Sequence, residues 1–257
     1  MTRKRLFFDI ETSPNIVTSW RIGYNLNISP DNIVKERAII CVCWKWEGED
    51  EVHSLTWDKH QDDKHLLKKF IKVLNSADEI IGHNGDRFDI KWLRTRCIYH
   101  EVDMFPTYRT IDTLKFAKSG FYFNSNKLDY ISKFLGVGAK SDTGGFQTWK
   151  DILFDKSEKA LEHMVEYCKN DVVILEKVYD KLRPYSKHKV NYATLRGGDR
   201  WNCPNCGTED VKLRKTYTTA AGTIMHSLAC KKGCRSVYSV NNKVYMDWLK
   251  YKMINNI

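Results

Sequence analysis

Apolar residues follow two different spacings along the first part of the chain. Leu6 to Ile10 and Ala38 to Trp46 are nearly continuous apolar runs of strand length, and Glu51 to Trp57 reads as a third strand. His60 to Asn75 comes next, with Leu66, Leu67, Phe70, Ile71 and Leu74 at helical spacing, then a short strand at Glu79 to Ile81 and a helix near Ile90 to Cys97. The helical period returns from Asn126 to Leu135. It is clearest from Glu158 to Leu182, where Leu161, Val165, Cys168, Val172, Leu175 and Leu182 step by three and four. This alternation is the rhythm of an α/β layer fold. Pro184, which has no amide donor, stops the long helix. Tyr185 to Arg200 is polar and basic, with Gly197-Gly198 as a joint. The expected organisation is a body over 1–186, a linker over 187–200, and a small module with its tail over 201–257.

A length of 257 residues with 42% hydrophobic and 29% charged side chains suits one good-sized globular domain with a small module, and excludes wholesale disorder. No run approaches the roughly 18 uninterrupted apolar residues of a membrane span, and the N-terminus does not read as an export signal. A soluble cytoplasmic protein is expected, or one of a host cytoplasm if its origin is viral. The net charge of +10 is uneven: residues 187 to 257 hold 13 basic and 4 acidic side chains, leaving the rest near neutral. Such asymmetry favours a polyanionic partner, with nucleic acid the first candidate.

Three acidic sites stand out. Asp9 and Glu11 are two apart in Phe7-Phe8-Asp9-Ile10-Glu11, so on a strand both point to the face of Phe7, and no Lys or Arg lies between Leu6 and Trp20 to compensate them. A strand that frays into solvent after Phe8 explains this pair equally well. Asp89 lies where a strand passes through Gly82-His83-Asn84-Gly85 into a helix, a place where an acid can simply complement the helix dipole. Asp171 shares a helical stripe with Tyr167, one turn earlier, and a phenol and carboxylate there can also be mutually bonded core groups. His83 has a plain reading as a turn or packing residue, and Asp112 as a framework acid.

Together, Phe8-Asp9-Ile10-Glu11-Thr12, then Gly82-His83-Asn84 with Phe88-Asp89, then Tyr167-Cys168-Lys169-Asn170-Asp171 resemble the three motifs of DEDDy-type 3′-5′ exonucleases. These have a ribonuclease H-like α/β fold, a mixed sheet flanked by helices, and include the proofreading domains of family-B DNA polymerases. The resemblance spans roughly residues 3 to 183. It implies that Asp9, Glu11, Asp89 and Asp171 hold two divalent ions, Mg²⁺ or Mn²⁺ by the hardness of their oxygens, and that Tyr167 orients the attacking water. A histidine subclass places His five residues before the last acid. Glu166 stands there in this chain, and His163 reads as surface, so the tyrosine subclass is implied. Asn84 and Phe88 match positions near the scissile end of the strand, Asn84 as a hydrogen-bonding residue and Phe88 as a packing one.

The cysteines fall into two groups. Cys41, Cys43, Cys97 and Cys168 lie in apolar segments and read as small core hydrophobes. Cys203-Pro204-Asn205-Cys206 and Cys230-Lys231-Lys232-Gly233-Cys234, separated by 23 residues, can converge four thiolates on one structural zinc. This resembles a zinc ribbon, with strands near Val211 to Tyr217, Thr223 to Ala229 and Ser236 to Val240; two disulfides are the competing reading. Lys212, Arg214, Lys215, Lys231, Lys232 and Arg235 interleave with Tyr217, Tyr238 and Trp201, a pattern suited to a nucleic-acid strand, although ribbons also bind proteins. The expected function is a two-metal 3′-5′ exonuclease acting on single-stranded DNA, with RNA as the alternative backbone. The ribbon would aid binding or dock a replication or repair protein. A non-catalytic adaptor on a nuclease-like scaffold is the competing class.

Overall fold

The computed structural model describes residues 3–185, 191–195, 197–232 and 234–255, so part of the expected linker, 187–190 and Arg196, lies outside the described residues. The chain divides into two compact units, one over 2–179 and one over 180–257.

In the first unit, β1 (Arg5–Thr12) is followed by a short hairpin, β2 (Ile16–Val17) with β3 (Ile33–Lys35), then β4 (Ile39–Trp46) and β5 (His53–Thr56). Next come α1 (Lys64–Asn75), β6 (Glu79–Gly82), α2 (Asp89–His100), β7 (Thr110–Asp112), α3 (Thr113–Gly120), α4 (Leu128–Phe134) and α5 (Phe146–Leu153), ahead of the long α6 (Glu158–Leu182). The main sheet has the order β5-β4-β1-β6-β7. β1 pairs antiparallel with β4 and parallel with β6, so the sheet is mixed.

Alternation along β1 sorts its side chains. Leu6, Phe8 and Ile10 join Val42 and Trp44 of β4 and the apolar stripe of α1 in one core. At the mouth of that core Asp63 is fully buried: it accepts from Ile39 N at 2.8 Å, takes a two-pronged contact from Arg96 at 2.8 Å, and meets His100 at 2.7 Å. This ties the start of α1 to α2 and to β4. Phe7, Asp9 and Glu11 occupy the other face, under α6.

The second unit contains a short helix, α7 (Tyr192–Leu195), and an antiparallel sheet of β8 (Val211–Thr218), β9 (Ile224–Cys230) and β10 (Val237–Asn241), followed by α8 (Asn242–Ile254). The three expected ribbon strands are present within a residue or two. The tail, to which the sequence reading assigned no element, is a helix, capped where Asn241 Oδ1 accepts from Val244 N at 3.0 Å and seated by Val244 and Trp248. Its two buried anchors are too few to make a legible stripe. No helix among the described residues is long and apolar enough to cross a membrane.

Candidate active site

α6 lies across the sheet face that carries Asp9 and Glu11. Phe7 meets Tyr179 edge-on at 5.5 Å, and Cys43 Sγ is 3.6 Å from the Val165 carbonyl. Lys45 is ion-paired with Glu176, which also accepts from Gly48 N at 3.1 Å. Cys168 Sγ lies 3.5 Å from the Asp9 carbonyl oxygen and 3.8 Å from its carboxylate. One helical turn after Tyr167, α6 therefore delivers Asp171 to the strand pair, and one carboxylate oxygen from each of Asp9, Glu11 and Asp171 lies within 4.8 Å of the others. The cysteines at 41, 43 and 168 are buried, as core hydrophobes should be.

Asp89 comes from a different element, α2, and stands outside that three-acid cluster. It is the first residue of α2, buried, with Oδ1 accepting from Ile10 N at 3.2 Å, between the two strand acids. The turn before it is tight: a Cβ on Gly82 would stand 3.1 Å from the Gly85 Cα, and Asn84 adopts a left-handed φ of 68°. Asp112 holds this turn, its Oδ1 accepting from Asn84 N at 2.9 Å and from Leu114 N at 3.0 Å to cap α3. His83 braces it through Thr113 Oγ1 and the Asn126 carbonyl, both at 2.9 Å. Asp112 and His83 thus have framework contacts. Phe88 leans edge-on against Trp92 with 36% of its surface open, so it packs on one side only.

Crowding disturbs the acids. Burial, then Asp89, Glu11 and Asp171, raise Asp9 well above the ordinary carboxylate range. Burial and Asp171 push Glu11 to about 7; burial also pushes Asp89 to about 7. Asp171 is raised by burial as well, against the pull of a cation that no local reading of the motifs supplies: Lys140. Its ammonium is ion-paired with Asp171 Oδ2 and lies 3.0 Å from the Tyr167 hydroxyl. Burial works against the charge on Lys140, but Asp171 and Tyr167 outweigh it and raise its pKa. Burial moves Tyr167 up to about 12 despite the opposing hydrogen bond from Lys140, so the phenol stays protonated near neutrality. Lys140 sits in the glycine-bearing stretch Gly136-Val137-Gly138-Ala139-Lys140. Asn170 Nδ2 fastens that stretch to α6 by donating to the Ala139 carbonyl at 3.2 Å. Its 129-residue distance from Glu11 hid it; the one available signal was that four acids on one site require a cation from elsewhere. Glu166 and His163 are exposed, and His163 Nε2 lies 2.9 Å from the Asp142 carbonyl.

The donor set suits a divalent cation. Among the described residues, Asp171 Oδ1 is buried without a hydrogen-bond partner, a costly condition that an ion would relieve, and every carboxylate of the cluster offers hard oxygen.

The second unit gathers another set. The Sγ atoms of Cys203, Cys206, Cys230 and Cys234 all lie within 4.8 Å of one another, with separations of 3.4, 3.5 and 3.7 Å along the chain of contacts from Cys203 through Cys234 and Cys206 to Cys230. Four ligands at the usual zinc–sulfur length of about 2.3 Å would be about 3.8 Å apart in a tetrahedron, whereas a disulfide needs about 2.05 Å. All four are free thiols, so the thiolate reading fits and the disulfide reading does not. Lys212, Arg214 and Lys215 are exposed on β8, as are Lys232 and Arg235; Lys231, also exposed, is paired with Asp210 at 3.3 Å. Trp201 differs from the expectation: it is 2% exposed, packed on Tyr251 at 4.7 Å, and belongs to the core of the unit. Tyr238 packs against that core and donates to the Trp201 carbonyl at 2.6 Å, and it is half-buried, as is Tyr217. A small module with few large residues must spend its aromatics on its own core.

Comparison with known proteins places the fold. A chain of the family B DNA polymerase from the hyperthermophilic archaeon Pyrobaculum calidifontis superimposes with a TM-score of 0.54 at 16% identity, covering 71% of this chain and 25% of the polymerase. The matched region is thus about a quarter of that polymerase, and at such identity the likeness is one of fold. No curated protein matches the chain. The family described as the RNase_H superfamily matches residues 33–183, a segment that begins after β1 and takes in β4, the central helices and all of α6 as far as Leu182. Since that segment is more than half of the chain, this protein belongs to the RNase H superfamily.

Proposed function

We propose that the chain is a metal-dependent 3′-5′ exonuclease that hydrolyses single-stranded DNA, or RNA, to nucleoside 5′-monophosphates. The observation that carries this reading is the convergence of Asp9 and Glu11 from β1 with Asp171 from α6 within 4.8 Å, with Tyr167 one turn before Asp171. Asp9, Glu11 and Asp171, with Asp89 beside Ile10, would hold two Mg²⁺ or Mn²⁺ ions, which when bound supply Lewis acidity to the phosphoryl centre. The chain's own groups do the positioning. Tyr167, protonated and tethered through its oxygen to Lys140, serves as a hydrogen-bonding guide for water and not as a base. Asn84 and Phe88 lie at the turn leading to Asp89, where a strand end would be met. In this reading the nuclease body is residues 1–186, joined by 187–200 to a zinc-holding module over 201–257 whose Lys212, Arg214, Lys215, Lys231, Lys232 and Arg235 track phosphates.

One observation favours a second reading, an adaptor without activity: Lys140 already offers Asp171 a positive charge. The test is a single strand labelled at its 5′ end, incubated with Mg²⁺ or Mn²⁺. An exonuclease of this polarity gives a ladder shortening from the 3′ end, an endonuclease gives internal cuts, and an adaptor leaves the strand whole. Asp171→Asn should lower the rate by about a thousandfold or more, while Tyr167→Phe should keep a measurable fraction.

A further inference from the structure

Between β2 and β3 every residue from Thr18 to Asp31 is exposed. The segment Trp20-Arg21-Ile22-Gly23-Tyr24-Asn25-Leu26-Asn27-Ile28 places an apolar side chain at every second position, which in sequence is the signature of a half-buried strand. It is no strand, turning at Tyr24–Asn25, and no described residue covers it: Trp20, Ile22 and Tyr24 stand wholly in solvent, and Leu26 and Ile28 are 39% and 37% open. Single exposed apolar residues are ordinary; five alternating within one loop mark a surface made to be covered.

Its root and its chemistry indicate the cover. The loop rises from a closed neck, with Ser13 N bonded to the Ala38 carbonyl at 2.9 Å, Ile16 and Val17 paired with Lys35 and Ile33, and Thr18 N bonded to the Asn32 carbonyl at 2.9 Å. The neck leaves β1 directly after Thr12, next to Glu11, so the loop springs from the end of the strand that bears the acids. No acidic residue occurs from Thr12 to Pro30, while Arg21, Asn25 and Asn27 alternate with the apolar side chains. Flat rings, a guanidinium and amides on a stretch without negative charge match unpaired bases on a phosphate backbone.

We propose that Trp20–Ile28 is an arm that grips single-stranded nucleic acid, Trp20 and Tyr24 stacking on unpaired bases and Arg21 meeting the backbone between them. This rests on the nuclease reading for the reason that the strand is there, but it can fail separately. The probe is a fluorescein-labelled oligothymidylate of about a dozen nucleotides, bound without divalent ions so that nothing is cut. The Trp20→Ala/Tyr24→Ala double variant should bind at least about tenfold more weakly, since each stacked base is worth about that factor, with the salt dependence unchanged because no phosphate contact is lost. Trp20→Phe/Tyr24→Phe should recover most of the affinity. On an abasic strand of the same length, wild type and the alanine double variant should be equal. Both rings are in solvent, so the fold should survive the change, which an unmoved melting temperature verifies. Affinity of the double variant within about twofold of wild type on the thymidylate would overturn the arm and leave the loop to a protein partner. If wild type binds through the rings but does not cut the strand with Mg²⁺ or Mn²⁺, the arm stands and the nuclease reading falls. If it cuts and the double variant binds as well as wild type, the reverse holds.

Discussion

Glu11 and Asp89, each pushed to about 7, keep their protons at a pH where exposed carboxyls have lost them. In the unfolded chain they titrate near 4, so between about pH 4 and pH 7 the folded protein binds more protons than the unfolded one. Stability without divalent ions is therefore fullest below that window and is lost as pH rises through 7. The melting temperature of the metal-free protein should fall from about pH 5 to about pH 8, and Glu11→Gln should flatten that fall. Mg²⁺, competing with protons for the same oxygens, should raise the melting temperature more at the higher pH. A metal-free profile that is flat or rising through 7 would show that these acids are not crowded. At this scale the sequence was informative about which groups carry chemistry and uninformative about their company. Strand periodicity showed that positions 9 and 11 share a face, but a fraying strand explained that pair equally well, and only its conjunction with the motifs around Asp89 and Asp171 pointed to chemistry. Lys140 was not legible, since no local pattern links a loop lysine to a helix acid 31 residues further on.

Long, strongly patterned elements were legible in the chain. α1, α6 and the strands β1, β4 and β6 follow their apolar periods, whereas β7, α3 and α5 are short, and α8 shows two buried anchors, so neighbours decide them. What locks the elements is polar and non-local. Asp63, at the start of α1, is fully buried and relies on Arg96 of α2 for two charged hydrogen bonds. Removing the guanidinium strands a buried carboxylate, so Arg96→Ala should cost about 3 kcal/mol, read as a lowered urea midpoint with an unchanged slope. His100 still contacts the acid, which keeps the loss toward the lower end of what a broken buried pair costs. A change below about 0.5 kcal/mol would mean that Asp63 is adequately held by His100 and Ile39 N.

The whole molecule joins a body stabilised by apolar burial to a small unit that needs another source of stability. The core of the unit over 180–257 centres on Trp201, Leu228, Val240 and Trp248 together with three of its four clustered cysteines, and zinc on those thiolates can contribute on the order of 10 kcal/mol to such a fold. Metal analysis should find about one zinc per chain. If zinc holds those thiolates, a strong chelator should melt the unit over 180–257, monitored by the environment of Trp201, while leaving the transition of the body in place. Loss of both transitions together would mean that the two units are not independent. Removing residues 187–257, which carry most of the net positive charge, should weaken single-strand binding and reduce its dependence on salt; unchanged binding would assign that segment to a protein partner.

By itself the sequence determined the α/β layering, the faces of its strands and long helix, the residue types able to hold hard and soft metal ions, and the concentration of positive charge near the C-terminus. These are local properties, set by side-chain period and composition. Only the tertiary structure decided that Asp9, Glu11 and Asp171 share one cluster while Asp89 stands beside it, that Lys140 meets Asp171, that Trp201 is core, and that the alternating apolar segment after β2 finds no sheet to join. Each of those depends on which distant segments pack together, a choice made by the burial of the whole chain, which no window along it contains.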